Sequence, residues 1–395
     1  MSWQMVKLKD CCEVVGGATP KRNIVSYWGG DIPWITPKDV SNLSEPYIYE
    51  APEYITKTGY KAAATYMLPV GTILLTSRAP IGNVAIAGIE LCTNQGFKSL
   101  IPGRNVHNKY LYHCIKKFVP QLELLGNGAT FKEVSKKVVE NFEIPLPPFE
   151  EQKRIADILD KADSLRQKRE QAMKLANDFL RTTFLNMFGD PVENPKKLKK
   201  APITELAEVI TGFAFKSNQY ISDAPESVRL CRGANTLTGY LDWADTKFWP
   251  KNKLEKLDNY LIKAGDIILA MDRPWISSGL KVCIFPENQR ETYLVQRVAR
   301  LRPRCESYTN YIYSCIKSPA FEKHCCPTET TVPHISPVEL KNFEVLIPPD
   351  ELMANFHSIV SIINNSLNKM ASGDIDSDAL FSKLSQQAFS GHLKR

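Results

Sequence analysis

The amino-acid sequence predicts an α+β protein with two duplicated globular domains and two long helices that form an antiparallel coiled coil. Three observations lead to this prediction. Half of the chain is repeated, each copy mixes strand and helix signals, and a long run without glycine or proline follows the first copy. A chain of 395 residues also suits two domains better than one core.

The repeat is clearest near the end of each copy. Asn141-Phe-Glu-Ile-Pro-Leu-Pro-Pro148 returns as Asn342-Phe-Glu-Val-Leu-Ile-Pro-Pro349, an offset of 201 (342 minus 141). The same offset carries Tyr110 onto Tyr311 within matching segments. A period this long is too large for a solenoid and indicates a duplicated domain. A function assigned to one half should therefore have a counterpart in the other.

Earlier segments of the two copies match at a smaller offset. Val70-Gly-Thr-Ile-Leu-Leu75 corresponds to Ala264-Gly-Asp-Ile-Ile-Leu269, 194 positions later. The second copy therefore gains residues between about Pro80 and Gln296. We expect the insertion in the loop of residues 272–279. Insertions occur in surface loops, because a buried loop would leave backbone polar groups without hydrogen-bond partners.

Each copy mixes short β-branched segments, which predict strands, with stretches that predict helices. Residues 108–117 and 309–317 have the helical pattern, and Gly and Pro clusters such as Trp28-Gly-Gly-Asp-Ile-Pro33 separate the strands. Each copy is therefore predicted to be a compact α+β domain.

The segment from Phe149 to Phe188 contains no Gly or Pro, and Gly189 follows it. This pattern predicts one helix of about 40 residues, roughly 60 Å long. Such a length, with apolar residues at alternating steps of three and four, favours a coiled coil with residues 350–395. The predicted seam comprises Ile155, Ile158, Ala162, Leu165, Phe179, Phe356, Ile359, Ile363, Met370, Leu380 and Leu384.

Two points about these helices stay open. The alternative is two separate amphipathic helices, each packed on its own domain. The second helix is also doubtful across residues 372–377, where Gly and Asp are poor helix formers, and it could restart with Asp376 as a cap.

These patterns divide the chain into five segments. The linker is polar, basic and proline-bearing, which favours a solvated tether over a phosphate contact. The predicted segments are a first globular domain at residues 1–148, a helix at 149–188, a linker at 189–202, a second globular domain at 203–349 and a second helix at 350–395.

Composition limits the function classes. The chain has no apolar run of about 18 residues and no signal-peptide core, so we expect a cytoplasmic protein. A net charge of +7 permits a nucleic-acid partner without requiring one. Ten cysteines occur without a Cys-x-x-Cys pair, and Cys114 and Cys315 lie in repeated apolar segments, which predicts buried free thiols.

Several catalytic patterns are missing from the sequence. It has no Gly-x-x-x-x-Gly-Lys-Ser/Thr loop for an NTPase, and its Glu-x-Lys triplets lack a nearby Asp for a metal-dependent nuclease. An enzyme that methylates a flipped adenine needs a polar residue before Pro-Pro-Tyr/Phe, whereas this chain has Leu146-Pro-Pro-Phe149. We therefore predict no catalytic site, no metal site and no cofactor of its own.

Several segments together resemble the specificity subunits of Type I restriction-modification enzymes, over nearly the whole chain. Ile144-Pro-Leu-Pro-Pro-Phe-Glu-Glu-Gln-Lys-Arg-Ile155 is similar to the family's central conserved region. Leu380-Phe-Ser-Lys-Leu-Ser-Gln-Gln-Ala-Phe-Ser-Gly391 is similar to its C-terminal end. Trp28-Gly-Gly-Asp-Ile-Pro-Trp-Ile-Thr-Pro37, Thr76-Ser-Arg-Ala-Pro-Ile-Gly82 and Thr93-Asn-Gln-Gly-Phe-Lys98 resemble one of its target-recognition domains. One departure is Leu352-Met353, where the first helix has Glu151-Gln152.

The resemblance implies a non-catalytic reader of double-stranded DNA. Each globular domain would be a target-recognition domain for one half of a bipartite site. The helices would space the domains and carry two methyltransferase subunits, which would bind S-adenosylmethionine. Motor-nuclease subunits would join for restriction. The repeat in the sequence agrees with this, because two similar domains on a rigid spacer can bind two sites on one duplex.

Reading a sequence requires polar and basic side chains on loops that reach a groove. The candidates in the first domain are Thr19, Lys21, Arg22, Lys38, Arg78, Asn94, Gln95, Lys98 and Lys132. Those in the second are Lys216, Ser217, Arg232, Asn235, Arg273, Gln296, Arg297, Thr331 and His334. Arg78 and Arg273 follow equivalent strands, whereas Trp28, Trp34 and Trp275 are interpreted as packing residues.

Two alternative functions stay open. One is a coiled-coil scaffold with two protein-binding heads and no DNA role. The other is the specificity subunit of a related bifunctional restriction system with the same architecture. Neither the recognised DNA sequence nor its spacer length can be read from the chain.

Overall fold

A computed structural model describes residues 3–41, 43, 45–78, 80–128, 132–325, 334–371 and 377–393. Within helices, it does not describe the side chains of residues 368, 370, 371 and 377–379. The chain divides into two compact units. The first contains Met1–Glu170 with Gly373–Arg395, and the second contains Gln171–Ser372. Across the described ranges, none of the helices is both long and apolar enough to span a membrane.

The first unit is an α+β domain built on a five-stranded sheet in the order β2-β9-β6-β7-β4, with smaller sheets β5-β3-β8 and β1-β10. Its elements are β1 (Met5–Lys7), α1 (Leu8–Cys11), β2 (Cys12–Gly16), β3 (Trp28–Ile35), α2 (Pro37–Ser41), β4 (Tyr47–Ile48), β5 (Glu53–Ile55), α3 (Lys57–Ala63), β6 (Ile73–Ser77), β7 (Ile81–Ala87), β8 (Cys92–Thr93), β9 (Lys98–Pro102), α4 (Asn108–Leu124), α5 (Lys136–Asn141) and β10 (Glu143–Pro145).

The long helix α6 (Phe149–Phe188) begins in the first unit and ends in the second. The second unit is built on a four-stranded sheet in the order β12-β20-β15-β18, with smaller sheets β14-β13-β19, β16-β17 and β11-β21. The remaining elements are β11 (Lys199–Pro202), β12 (Ala207–Thr211), β13 (Ser227–Cys231), β14 (Lys247–Pro250), β15 (Ile267–Ala270), β16 (Trp275–Ile276), β17 (Gly279–Leu280), β18 (Val282–Ile284), β19 (Thr292–Leu294), β20 (Val298–Pro303), α7 (Thr309–Ile316), α8 (Pro319–Cys325), α9 (Pro337–Asn342), β21 (Glu344–Ile347), α10 (Asp350–Ala371) and α11 (Ser377–Ser390).

Strand pairing reproduces the repeat. Ile73 of β6 pairs with Leu100 of β9, and Ile267 of β15 pairs with Leu301 of β20. These partners keep the sequence offsets of 194 and 201. The predicted duplication of one α+β domain is therefore confirmed at the level of strand register.

The extra residues of the second unit lie in two places. Ile86 is the β7 partner of Ile73, and Ile284 is the β18 partner of Ile267, an offset of 198 (284 minus 86). Four residues are therefore added between these pairs, where the β16-β17 hairpin lies within the expected region. Three more residues are added after β18, because the offset has risen from 198 to 201 by the matching pair Leu100 and Leu301.

Buried tyrosine hydroxyls tie a helix to a short strand in both units. Tyr110 donates to the Pro145 carbonyl, and Tyr311 donates to the Leu346 carbonyl, each at 2.7 Å. Cys114 and Cys315 are buried beside them. Burial raises the pKa of the Cys114 thiol well above its usual value and that of Cys315 to about 12. The prediction of buried free thiols is confirmed for these two cysteines, whereas Cys305 is exposed and Cys11 is half-buried.

The long helices run antiparallel. The first turns of α6 bury Ile155 and Leu159 in the same core as Phe389 near the end of α11. The last turns of α6 bury Phe188 in the core that contains Phe356 near the start of α10. The start of α6 therefore shares a core with α11 and its end shares a core with α10, in the order that the predicted antiparallel pairing requires, and α6 does not pack on the first domain alone. Residues 372–376, including the proposed cap Asp376, lie outside the described residues.

The predicted seam needs a partial correction. Ile155 and Phe356 are fully buried, and Ile158, Ala162, Ile359, Ile363, Leu380 and Leu384 are half-buried. Leu165 and Phe179, however, are 65% and 52% exposed, so placing them in the seam was wrong. A strict three-four pattern drifts about 20° per heptad around a straight helix. Leu159 and Phe184 face inward instead, and the Met370 side chain lies outside the described residues.

The segment after α6 is more ordered than a solvated tether. Gly189 ends the helix with φ of 82°, and Lys196 Nζ donates to the carbonyls of Asn186 and Met187 at 2.8 and 2.9 Å. This lysine therefore caps the helix C-terminus. Residues 199–202 form β11 and pair with β21, so the predicted linker extends too far and these residues belong to the second unit.

Candidate nucleic-acid interface

In the first unit, three loops meet where β6 ends. The Ser77 amide donates to the Gly96 carbonyl at 2.7 Å, and the Val134 amide donates to the Ser77 carbonyl at 2.9 Å. These bonds place residues 94–98 and 132–134 on either side of residues 77–78. We call these three segments the first corner. It brings together the predicted residues Arg78, Asn94, Gln95, Lys98 and Lys132.

A carboxylate lies at the centre of the first corner. Glu133 Oε1 contacts Lys98 Nζ at 3.2 Å, and Glu133 Oε2 contacts an Arg78 guanidinium nitrogen at 3.7 Å. Arg78 is partly exposed, whereas the Lys98 side chain is only 13% exposed. Arg78 is therefore the more accessible of the two cations that contact Glu133. Lys132 is exposed next to Glu133.

The second unit contains the same construction. The Met271 amide donates to the Arg297 carbonyl, and the Ile335 amide donates to the Met271 carbonyl, each at 2.9 Å. These residues occupy the places of Ser77, Gly96 and Val134. We call residues 271–273, 295–297 and 334–335 the second corner. It brings together the predicted residues Arg273, Gln296, Arg297 and His334.

A carboxylate also lies at the centre of the second corner. Asp272 Oδ2 contacts Arg297 at 2.7 Å, and Asp272 Oδ1 contacts His334 Nδ1 at 2.7 Å. Burial opposes ionisation of Asp272, but the hydrogen bonds from His334 and Arg297 outweigh it, so the pKa of this carboxyl lies below its usual value. The Arg297 side chain is 70% exposed, so its guanidinium keeps donors that face solvent.

The strand register corrects one expected equivalence. Arg78 lies five positions after Ile73, and Asp272 lies five positions after Ile267, so Asp272 takes the place of Arg78. Arg273 lies one residue further on, exposed and with φ of 43°. The two arginines are therefore neighbours of equivalent positions, not equivalents. Neither Glu133 nor Asp272 was predicted, because an acidic residue alone gives no signal for DNA contact.

One segment of the first corner is held by two polar contacts. The Thr19 hydroxyl hydrogen-bonds the Gln95 side chain, and Asn94 Oδ1 accepts from the Gly96 amide at 2.8 Å. These contacts fix residues 94–96 and place the candidate Thr19 next to the corner. Lys21 and Lys38 are exposed on the same unit.

Arg22 forms a separate cluster with aromatic rings. Both of its terminal nitrogens donate to Glu53, at 2.6 and 2.8 Å, and its guanidinium lies 3.9 Å from the centre of the Trp28 ring. Trp34 is buried beside them and Trp28 is half-buried, in keeping with packing roles. Because Glu53 occupies the bidentate edge of Arg22, that edge cannot also read a base unless the pair opens.

Asn235 lies in a loop of the second unit and is not placed to contact a groove. It is fully buried, accepts from the Arg232 amide at 3.1 Å and donates to the Asp242 carbonyl at 2.9 Å. Its hydrogen-bonding groups stabilise backbone, so predicting it as a DNA contact was wrong.

The remaining candidates of the second unit have varied surroundings. Arg232 contacts the Asp245 carboxylate at 2.8 Å, and hydrogen bonds from Lys247 and Arg232 lower the pKa of Asp245 to about 2. Lys216 and Ser217 are exposed, and Trp275 packs against the core. Thr331 lies outside the described residues. Among the residues with described positions, no group of three or more His, Cys, Asp or Glu side chains could hold a metal ion.

Taken together, the fold and the two corners define a protein with two diverged copies of one α+β unit and a long helix that takes part in both. The family model described as Type I restriction modification DNA specificity domain matches residues 1–175. The specificity subunit of Type I restriction enzyme MjaIX from Methanocaldococcus jannaschii is 31% identical, over 97% of this chain and 92% of that protein. The chain therefore belongs to the specificity subunits of Type I restriction enzymes.

A second relative agrees with this family, and a solved structure shares the fold. The specificity subunit of Type I restriction enzyme MjaVIII, also from Methanocaldococcus jannaschii, is 24% identical over 88% of this chain and 82% of that protein. The crystal structure of a Type-I restriction-modification system S subunit from M. genitalium superposes with a TM-score of 0.63 at 12% identity, over 98% of this chain and 96% of that one. This structural likeness shows the shared fold.

Proposed function

We propose that this chain is the non-catalytic DNA-reading subunit of a Type I restriction-modification complex, and that each unit reads one half of a bipartite duplex target. The observation that carries this proposal is the corner, which is built twice by the same backbone bonds. It presents the partly exposed Arg78 in the first unit and the exposed Arg273 and Arg297 in the second, on loops that follow strands of the sheet. Arginine and polar side chains on such loops are typical of groove contacts.

The difference between the two corners supports an asymmetric target. Arg78 and Glu133 face each other in the first corner, whereas Asp272 and His334 do so in the second. Different hydrogen-bonding groups at matching places recognise different base edges. The two half-sites should therefore differ in sequence.

Partner subunits would supply the chemistry. We assign adenine methylation to two copies of a methyltransferase subunit, which would bind S-adenosylmethionine, and DNA cleavage to motor-nuclease subunits. Support comes from the sequence, which has no NTPase loop and a leucine where an adenine methyltransferase needs a polar residue. The paired helices would set the distance between the half-sites.

Exposed apolar side chains on the helices fit the docking of these partners. In the second unit, Leu175 and Phe179 of α6 and Ile362 of α10 are each more than half exposed. Leu175 and Phe179 are four residues apart and so lie on one helix face. Exposed apolar side chains grouped in this way are typical of protein contacts. Leu165 of α6 is similarly exposed in the first unit.

The helix starts have a different role from these docking residues. Gln152 is buried, accepts from the His107 amide at 2.8 Å and donates to the Asn105 and Pro147 carbonyls at 3.0 and 2.9 Å. Met353 is buried at the matching place in the second unit. The sequence difference at this position therefore concerns packing within each unit, so it need not change how the partners dock.

The proposal can be tested with the reconstituted chain and its methyltransferase partner. Methylome sequencing of the host, with and without the gene, gives the target for a mobility-shift assay. We expect the complex to bind that duplex and to lose binding when either half-site is scrambled. The chain without its partner should transfer no methyl group. Binding that ignores both half-sites, or no DNA binding at all, would favour the scaffold alternative.

A further inference from the structure

The two corners carry different hydrogen-bonding groups at equivalent positions. Arg78 and Glu133 form an antiparallel backbone bridge in the first unit, and Asp272 and His334 form the matching bridge in the second. The strand-end position therefore offers a donor in one unit and an acceptor in the other. At the position that bridges to it, the first unit has the acceptor Glu133 and the second unit has His334.

Asp272 keeps capacity to bind a ligand although it is already paired. Each of its carboxylate oxygens contacts one partner, Arg297 or His334, at 2.7 Å. A carboxylate has about four acceptor sites, so further acceptors remain, and this side chain is 38% exposed. Phosphate would be repelled by this charge. An amino group on a base edge would be attracted by it.

The backbone of the second corner is strained at two arginines. Arg297 and Arg273 have φ of 66° and 43°, in the left-handed region that non-glycine residues adopt at a cost. The first unit has a glycine, Gly96, at the place of Arg297, but the φ of Gly96 is not positive, so the two corners differ in backbone conformation at this place. Strain of this kind is typical of functional sites, where the side chain offsets the unfavourable backbone.

We propose, on the basis of the proposed function, that Asp272 and Arg297 together read one C·G base pair in the second half-site. The carboxylate would accept a hydrogen bond from the N4 amino group of cytosine. The guanidinium would donate to O6 and N7 of guanine. In the first corner, Arg78 and Glu133 would read a pair of the same kind from different positions, because the acceptor there lies at the place of His334 and Gly96 takes the place of Arg297.

The test compares methylation motifs made by wild-type and variant complexes in cells. Asp272→Asn is nearly the same size but replaces one acceptor oxygen with a donor. We expect it to reduce discrimination at one C·G position of the second half-site by roughly ten-fold or more. The first half-site should stay unchanged. Glu133→Gln is the matched control. It should reduce discrimination in the first half-site and leave the second half-site unchanged.

Folding and reading can be separated by a second variant. Arg297→Gly relieves the left-handed backbone, so we expect it to fold and to relax the same base pair as Asp272→Asn. An unchanged second half-site in both variants would overturn this inference, as would a second half-site without any C·G pair. A wild-type complex whose motif has no second half would instead contradict the proposed function.

Discussion

Phe389 and Phe188 allow a direct test of how the helix ends contribute to the reading units. They are related by the 201-residue offset, and each packs beside the buried tyrosine of one unit. Phe389 lies 5.6 Å from Tyr110, and Phe188 lies 4.7 Å from Tyr311, between ring centroids. We predict that Phe389→Ala loosens the first unit, although the residue lies near the C-terminus, and that Phe188→Ala loosens the second.

The magnitudes follow from burial. Replacing a buried Phe with Ala costs about 3–5 kcal/mol, from lost transfer free energy and the cavity left behind. Phe188 is fully buried and contacts Phe184 and Phe356 as well, so we expect a loss near the upper end of that range. Phe389 retains slight exposure, so a loss of about 3 kcal/mol is expected.

Hydrogen exchange measured by mass spectrometry assigns the loss to a unit. Phe389→Ala should reduce protection in β6 and β9, and Phe188→Ala in β15 and β20, because core strands report the stability of their own unit. Leu165→Ala is the control, since its side chain is mostly exposed and should change stability by less than about 0.5 kcal/mol. If Phe389→Ala left the first unit fully protected, the assignment of α11 to its core would be refuted.

Three further predictions concern reading, spacing and acid stability. Arg78→Ala and Arg273→Ala should each weaken specific binding by roughly 1–3 kcal/mol and relax only one half-site, which competition binding measures; equal losses at both halves would indicate phosphate contacts. Four residues inserted near Ala172 add about 6 Å of helix, so the spacer of the methylated motif should grow by about one to two base pairs while both half-sites stay unchanged. A spacer of unchanged length would show that the helix does not set the distance between the half-sites. Burial opposes ionisation of Asp160, but hydrogen bonds from His113 and Lys109 lower its pKa below the usual value. The ionised carboxylate therefore stabilises the fold above about pH 4, and this stabilisation is lost as the pH falls through the lower folded pKa. Acid unfolding curves should show this loss in the wild type and less of it in Asp160→Asn.

The sequence by itself determined the features that depend on local pattern. The absence of Gly and Pro between Phe149 and Phe188 predicted a helix whose bounds the structure reproduces, because those residues are the strongest local terminators. The repeat predicted two similar domains, and the change in offset predicted the position of four of the seven residues that the second unit gains. Arg78 and Arg297 were found as candidates because basic residues on loops are recognisable without a structure.

Only the tertiary structure decided which side chains meet. Glu133 contacts Lys98 across 35 positions, and Asp272 contacts His334 across 62, so neither carboxylate carries a signal in its own segment. The same holds for Phe389, which completes a core formed mainly by the start of the chain, and for Asn235, whose burial removes it from the surface. Side-chain partners at such separations are set by strand register and helix packing, which a local pattern of residue types does not encode.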